Sequence, residues 1–202
     1  MVYIAFLKGI NVGGKNIIKM SDLKLMFANM GISDAITYIQ SGNILFTSDD
    51  TEKALETKIE ASIFETFGLN IGVILRTLTE LKQLLNCIPF SENDIQEIEQ
   101  NAEGEVFYLF LYREVLSQAS RERISARKQE NDKLEIINRD VYVLFDKTIR
   151  NSKLANALQK ADEYCTSRNI KTINKLVELG MIEDELGKEL IMAFNFLTTL
   201  DR

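Results

Sequence analysis

Ile36-Thr-Tyr-Ile-Gln-Ser-Gly-Asn-Ile-Leu-Phe-Thr-Ser48 decides the fold of this chain. Two β-rich runs, Ile36 to Gln40 and Ile44 to Ser48, flank Ser41-Gly42-Asn43, and Gly and Asn take the turn dihedrals that β-branched residues resist. The stretch therefore reads as a hairpin. Upstream, Val2 to Lys8 is an apolar run of strand length. Ser21-Asp22 can cap a helix whose Leu23, Met26, Phe27 and Met30 keep helical spacing as far as Gly31. Downstream, Thr51 opens a helix on which Leu55, Ile59, Ile63 and Phe67 recur every four residues before Gly68, and Ile71 to Arg76 reads as a strand. The order β-α-β-β-α-β is that of the ferredoxin-like plan. Thr79 then starts a short helix carrying Leu81, Leu84 and Leu85.

The second half repeats the pattern without repeating the residues. Glu105 to Tyr112 is a strand, Glu114 to Lys128 a polar helix, and Leu134 to Asn138 with Val141 to Phe145 a hairpin turned at Asn138-Arg139-Asp140. Asn151-Ser152 can cap a helix bearing Leu154, Ala157, Leu158 and Ala161. The polar stretch Ser91 to Asn101, just after the single proline Pro89, separates the halves. The expectation is an α+β chain of two ferredoxin-like β-α-β-β-α units with mainly antiparallel sheets, plus C-terminal helices. A first subdomain over residues 1–97 holds the glycine-rich loop, and a second over 98–202 holds the C-terminal helices. One of those helices should end at Gly180. The last opens at Glu183-Asp184-Glu185 and carries Leu186, Leu190, Phe194 and Leu197 on one face, which packs on its own chain or on a second copy in a homodimer.

Apolar residues make up 46% of the 202, enough for sizeable cores. Runs such as Val106 to Tyr112 are far shorter than the ~20 residues that span a bilayer, and no charged-then-apolar leader opens the chain. The expected compartment is the cytoplasm, with no membrane partner. A net charge of -6 argues against a duplex-DNA binder. The absence of histidine removes Ser-His-Asp and Cys-His nucleophile systems and histidine-rich zinc sites. Cys87 and Cys165 fit no metal spacing and read as reduced thiols, so no metal site is expected.

Gly9-Ile-Asn-Val-Gly-Gly-Lys15-Asn16 follows the first strand. Its Gly-x-x-x-x-Gly-Lys spacing matches the phosphate loop of nucleoside triphosphatases. However, Asn16 stands where Ser or Thr would hold magnesium, and Ile17-Ile18-Lys19 opens no helix at once. Two readings stay open. The glycines supply positive φ to a tight connection in which Asn11 and Asn16 bond nearby backbone, or the amides near Gly13 and Gly14 join Lys8 and Lys15 in an anion site. Gln40-Ser41-Gly42-Asn43 is a plain turn or a set of polar groups that orient a ligand, and Ser41 lacks the histidine that would activate it. Thr166-Ser-Arg168-Asn169-Ile-Lys171-Thr172 either caps the next helix through Asn169 or Ser167 while Arg168 pairs with a carboxylate, or holds an anion with the helix start, Arg168 and Lys171. Cys165 beside it is a buried side chain, or a thiol whose pKa the helix start lowers. Phe107-Tyr108-Leu-Phe110-Leu-Tyr112 alternates aromatics without the basic-glycine signature of an RNA-recognition strand, and reads as packing.

Lys8-Gly-Ile-Asn-Val-Gly-Gly-Lys15, Met20 with Leu23, Thr37-Tyr-Ile-Gln-Ser-Gly-Asn43, Pro89-Phe90 and Thr166-x-Arg-Asn-x-x-Thr172-x-x-Lys-Leu176, in that order, resemble the bacterial domain-of-unknown-function family 1697. The resemblance implies an α+β, ferredoxin-like two-part architecture and brings no established activity, cofactor or catalytic residue. The chain departs from the family pattern at Lys8, Ile18-Lys19 and Ile170.

The sequence points first to a cytosolic protein that binds a small anionic or phosphorylated ligand. Its candidate site residues are Lys8, Asn11, Gly13, Gly14, Lys15, Gln40, Ser41, Asn43, Arg168, Asn169 and Thr172, with Arg168 as a bidentate oxyanion clamp. Cofactor and catalytic residues stay undetermined. The rival is a non-catalytic interaction module that uses an exposed sheet face or the last helix to dimerise or dock a partner, and a third reading is single-stranded RNA binding.

Overall fold

The computed structural model describes residues 1–129, 131–162 and 164–200, with side chains followed as far as residue 189. β1 (Val2–Leu7), α1 (Met20–Asn29), β2 (Ile36–Tyr38), β3 (Asn43–Thr47), α2 (Glu52–Phe67) and β4 (Val73–Thr77) make the first unit. α3 (Leu78–Asn86) and α4 (Glu92–Gln100) lead to β5 (Phe107–Tyr112), α5 (Gln118–Ser125), β6 (Lys133–Ile137), β7 (Asp140–Leu144), α6 (Lys153–Gln159) and β8 (Cys165–Asn169). α7 (Ile170–Leu200) follows directly. The sheets have the orders β2-β3-β1-β4 and β6-β7-β5-β8, and every neighbouring pair is antiparallel. Both are the ferredoxin-like order, so the α+β expectation of two such units holds.

Much of the local punctuation follows the expected chemistry. The Thr51 hydroxyl accepts from the Ala54 amide, and Gly68 closes α2 at φ 67°. Ser152 caps α6, and Asn138 turns the second hairpin at φ 53°. Elsewhere the structure corrects the expectations. α1 begins at Met20 with no side-chain cap, so Ser21-Asp22 lie inside it. α3 is capped by Thr77, not begun at Thr79, because Thr77 and Glu80 satisfy each other in a capping box. Ser91 and Asp94 form a second box, which turns the expected connecting stretch into α4 and places residues 97 and 98 inside a helix. Cys165–Asn169 is a strand, which completes the second unit as β-α-β-β-α-β.

Gly180 ends nothing: α7 runs through it. A Cβ there would lie 2.8 Å from Leu78 Cδ1, so the missing side chain lets α7 approach α3 closely. Leu186 is about half exposed on α7, while the side chains of Leu190, Phe194 and Leu197 lie outside the described residues.

β1 shows why its run is unbroken. Tyr3, Ala5 and Leu7 face Leu23, Phe27, Leu55, Ile59 and Ile63 of α1 and α2. Ile4 and Phe6, with Leu45 and Ile74, point the other way into a core shared with Leu81 of α3, Leu109 and Val143 of the second sheet, and Ile173 and Leu176 of α7. Both faces of the first sheet are thus buried, which removes the polar alternation of a half-exposed strand. Each such Leu, Ile or Phe contributes about 1.5–3 kcal/mol on burial.

Arg76, Arg113 and Arg139 cross between the two units. Arg76 of β4 lies 2.6 Å from the Asp140 carboxylate and donates to the Tyr112 carbonyl at 2.7 Å. Arg139 reaches back from the β6–β7 turn to Glu52 and Glu80, each at 2.6 Å. Arg113, just after β5, donates to Glu60 and to the Val73 carbonyl. Its Nε is also 2.9 Å from Glu56 Oε1, but neither atom is aligned for a hydrogen bond, so this contact is an ion pair only. Burial raises the carboxyl pKa of Asp140 against the pull of Arg76, and that of Glu56 against the pull of Arg113. Such buried pairs fix how two surfaces meet more than they add net stability.

Candidate functional site

The three polar motifs meet at one end of the first sheet: Asn11 ties the glycine-rich loop to the Gln40 carbonyl, and Arg168 ties Ser41, Gly42 and Asn43 to β8. From β8 its Nε donates to Asn43 Oδ1, and its Nη1 donates to Thr166 Oγ1 and the Ser167 carbonyl, each at 2.8 Å. Its Nη2 donates to the carbonyls of Ser41 at 2.7 Å, Leu7 at 3.1 Å and Gly42 at 3.3 Å. Among the described residues no carboxylate answers this cation. Burial lowers its pKa to about 10, and the guanidinium is held by carbonyl dipoles instead. The expected roles of Arg168 are therefore corrected: it has no carboxylate partner among the described residues, and its donors are spent on the chain itself, leaving none for an oxyanion clamp.

The glycine-rich loop is a miniature hairpin. The Lys15 amide donates to the Val12 carbonyl at 3.1 Å and the Asn11 amide to the Asn16 carbonyl at 3.2 Å. Gly13 and Gly14 turn it at φ 58° and 74°. Asn11 anchors it, donating to the carbonyls of Ile18 at 2.9 Å and Gln40 at 2.8 Å while accepting from the Ile18 amide. The backbone-bonding reading of Asn11 and Asn16 is thus realised, with the Asn16 side chain donating to the Gly9 carbonyl. Ser41 Oγ accepts from Asn43 Nδ2 at 3.0 Å. Asn169 Oδ1 accepts the Thr172 amide at 2.8 Å, so it caps α7 and Thr172 is buried beneath it. Lys171 pairs with Glu105 at 2.7 Å on the surface. Gly13, Gly14 and Lys15 stand exposed at the loop tip, whereas Arg168 is buried.

At the root of the loop a cavity of about 540 Å³ opens between the two units, lined by Lys8, Glu60, Asn70, Ile71, Gly72 and Tyr164. Lys8 continues β1, its amide donating to the Gly72 carbonyl at 2.9 Å. Arg113 lies over the Tyr164 ring, 3.7 Å from its centroid. A Cβ on Gly72 would come within 3.2 Å of that ring, so glycine keeps the wall open. Glu60 Oε1 accepts from the Val73 amide at 2.9 Å and from Arg113, so its charge is already answered. Sequence reasoning found Lys8 but missed Glu60, Asn70 and Tyr164. Glu56 and Glu60, four apart on the helix that buries Leu55 and Ile59, were the one available signal.

Cys165, next to Tyr164, is buried and its thiol is pushed up to about 12, which rules out the lowered-pKa reading. Phe107, Phe110 and Tyr112 are buried and the half-buried Tyr108 packs edge-on against Phe145, so β5 presents no row of exposed rings to RNA bases. Among the described residues no cluster of His, Cys, Asp and Glu is arranged to hold a metal ion, and no helix is long and apolar enough to cross a membrane.

Residues 1–142 match the model of the family described as protein of unknown function, DUF1697. The chain belongs to that family. The DUF1697 match spans the glycine-rich loop, the first hairpin and Pro89-Phe90, and stops before the Thr-x-Arg-Asn segment. Among solved structures, that of the conserved bacterial protein SP0830 from Streptococcus pneumoniae is similar at a TM-score of 0.70 and 23% identity, over 89% of this chain and 98% of that one. At that identity the likeness shows a shared fold alone. No curated protein matches this DUF1697 chain.

Proposed function

We propose that this DUF1697 protein binds a small anionic ligand in the cleft at the root of its glycine-rich loop. The observation that carries the reading is Lys8, a cation that both lines the cavity and leads directly into Gly9. A volume of about 540 Å³ falls in the range of small-molecule sites, and a seam between two units is a common place for one. Lys8 attracts the charge, the Asn70 amide supplies a directional donor, and the Tyr164 ring forms a flat wall. Because Glu60 is tied to Arg113 and the Val73 amide, it repels an anion less than an unpaired acid would.

The test is a thermal-shift screen of nucleotides, sugar phosphates and anionic metabolites on wild type, Lys8→Ala, Tyr164→Ala and Lys15→Ala, since a ligand of the folded state raises Tm. A compound that stabilises wild type and Lys15→Ala but neither cleft variant supports the reading. Stabilisation lost only in Lys15→Ala moves the site to the loop tip, and no shift in wild type rejects it.

Homodimerisation is supported by a different observation: Met181, Ile182 and Leu186 of α7 are 43%, 53% and 49% exposed. Ile182 and Leu186 lie four apart and share a helix face. Light scattering should then show a dimer that Ile182→Asp with Leu186→Asp converts to a monomer. A wild-type monomer at high concentration removes this reading.

A further inference from the structure

A second cavity lies on the opposite kind of surface, between the two helices of the second unit. Arg123 and Arg127 stand four apart on α5 and the turn after it, and Lys153, Asn156, Ala157 and Lys160 recur at helical spacing along α6. All six line one groove of about 490 Å³, and among the described residues no carboxylate lines it. The Ser120 hydroxyl ties the helices together, donating to the Ala161 carbonyl at 3.4 Å and accepting from Arg123 at 3.0 Å. Among the described residues none of the four cations is in an ion pair.

Four cations with no ion-pair partner among the described residues converge here on a chain whose net charge is -6. Such a cluster repels itself, and a multivalent oxyanion relieves the repulsion while gaining charge-assisted hydrogen bonds. The groove also limits the shape of its occupant. α5 has eight residues and α6 seven, so each is about 12 Å long or less. Among the described residues no aromatic ring lines the groove, which deprives nucleobases of a stacking platform and disfavours a nucleic-acid strand.

We propose that the α5–α6 groove is a binding site for linked phosphates, taking the di- or triphosphate portion of a small ligand. Arg123 and Arg127 on one rim and Lys153 and Lys160 on the other bracket the chain of phosphates, and Asn156 donates from its amide. This site is separate from the Lys8 cleft and does not depend on it.

Titration calorimetry with inorganic tripolyphosphate at low salt tests the site on wild type, Arg127→Glu with Lys153→Glu, the milder Arg127→Gln with Lys153→Gln, and Lys8→Ala. Both substituted groove positions, Arg127 and Lys153, are exposed, and unchanged melting confirms folding. Binding by wild type and Lys8→Ala, weakened about tenfold or more by charge reversal, less by neutralisation, and falling with added salt, is the expected result. Three results overturn the proposal: no heat with wild type, binding that survives charge reversal, or binding of a single-stranded oligonucleotide through these residues when tripolyphosphate does not bind.

Discussion

Arg168 Nη2 donates to the carbonyl oxygen of Ser41 at 2.7 Å, joining the last strand of the second sheet to a turn 127 positions earlier. The same guanidinium holds Leu7, Gly42 and Asn43, so one side chain fixes the end of β1, the first hairpin and β8. A lysine has a compact ammonium and cannot reproduce that planar fan of donors. Arg168→Lys and Arg168→Ala should each lose about 2–5 kcal/mol, because carbonyls desolvated around the guanidinium are left unpaired. Urea unfolding measures this directly, and a loss under about 1 kcal/mol would remove the hub role assigned to it.

Gly42 should be far less replaceable than Gly13. Both are left-handed, but a Cβ on Gly42 would lie 2.8 Å from Leu7 Cβ and 2.7 Å from Ile10 Cδ1, whereas one on Gly13 meets nothing within 4 Å. Gly13→Ala should cost about 1–2 kcal/mol, the conformational term alone. Gly42→Ala should cost about 2–4 kcal/mol, since displacing Leu7 disturbs the strand that both cores share. Equal losses in thermal melts would show that the close packing is unimportant.

The Arg76–Asp140 pair lends itself to a double-mutant cycle. Asp140→Leu alone leaves a buried guanidinium without its counter-charge, Arg76→Met alone leaves the carboxylate so, and each should cost about 3–5 kcal/mol. Arg76→Met with Asp140→Leu should recover most of that loss, because apolar groups in the same space owe no desolvation. If the double variant is as unstable as the sum of the two singles, the pair is not coupled.

Acid should expose the contribution of Glu80. Burial raises its carboxyl, but hydrogen bonds from the Thr77 amide at 2.8 Å and hydroxyl at 2.9 Å, together with Arg139, outweigh burial and lower its pKa. With the folded value depressed, the unfolded chain takes up the proton first as pH falls. The stabilisation is therefore present above about 4.5 and is lost below it. Wild-type Tm should fall more steeply than that of Glu80→Gln as pH drops through this window. Parallel curves would mean that Glu80 has no such linkage.

The readable parts of the chain were those where one residue decides a local geometry. Thr51 and Gly68 bracket α2, and Gly42 and Asn138 each turn a hairpin, because caps and positive φ are local demands. β8 was not readable, since Thr166-Ser-Arg-Asn169 carries no β-rich pattern and becomes a strand only by pairing with β5. Gly180 looks like a stop and is a contact, a distinction that depends on where Leu78 lies. The candidate motifs did converge, but as partners for one another. Polar residues that seem to await a ligand can equally be completing each other's hydrogen bonds across a hundred positions, and sequence holds no sign of which. The arginine seam was invisible for the same reason.

The shared core has a consequence for synthesis. Ile4, Phe6, Leu45 and Ile74 are covered by α3, the second sheet and α7, all of which follow them in the chain. A ribosome delivers the first sheet and its own two helices before the segments that complete its outer core. Its outer face then waits, apolar and with Arg76 lacking Asp140, until the second half arrives. The nascent protein is most vulnerable to aggregation in that interval, and a chain stopped before β5 carries the exposed face permanently.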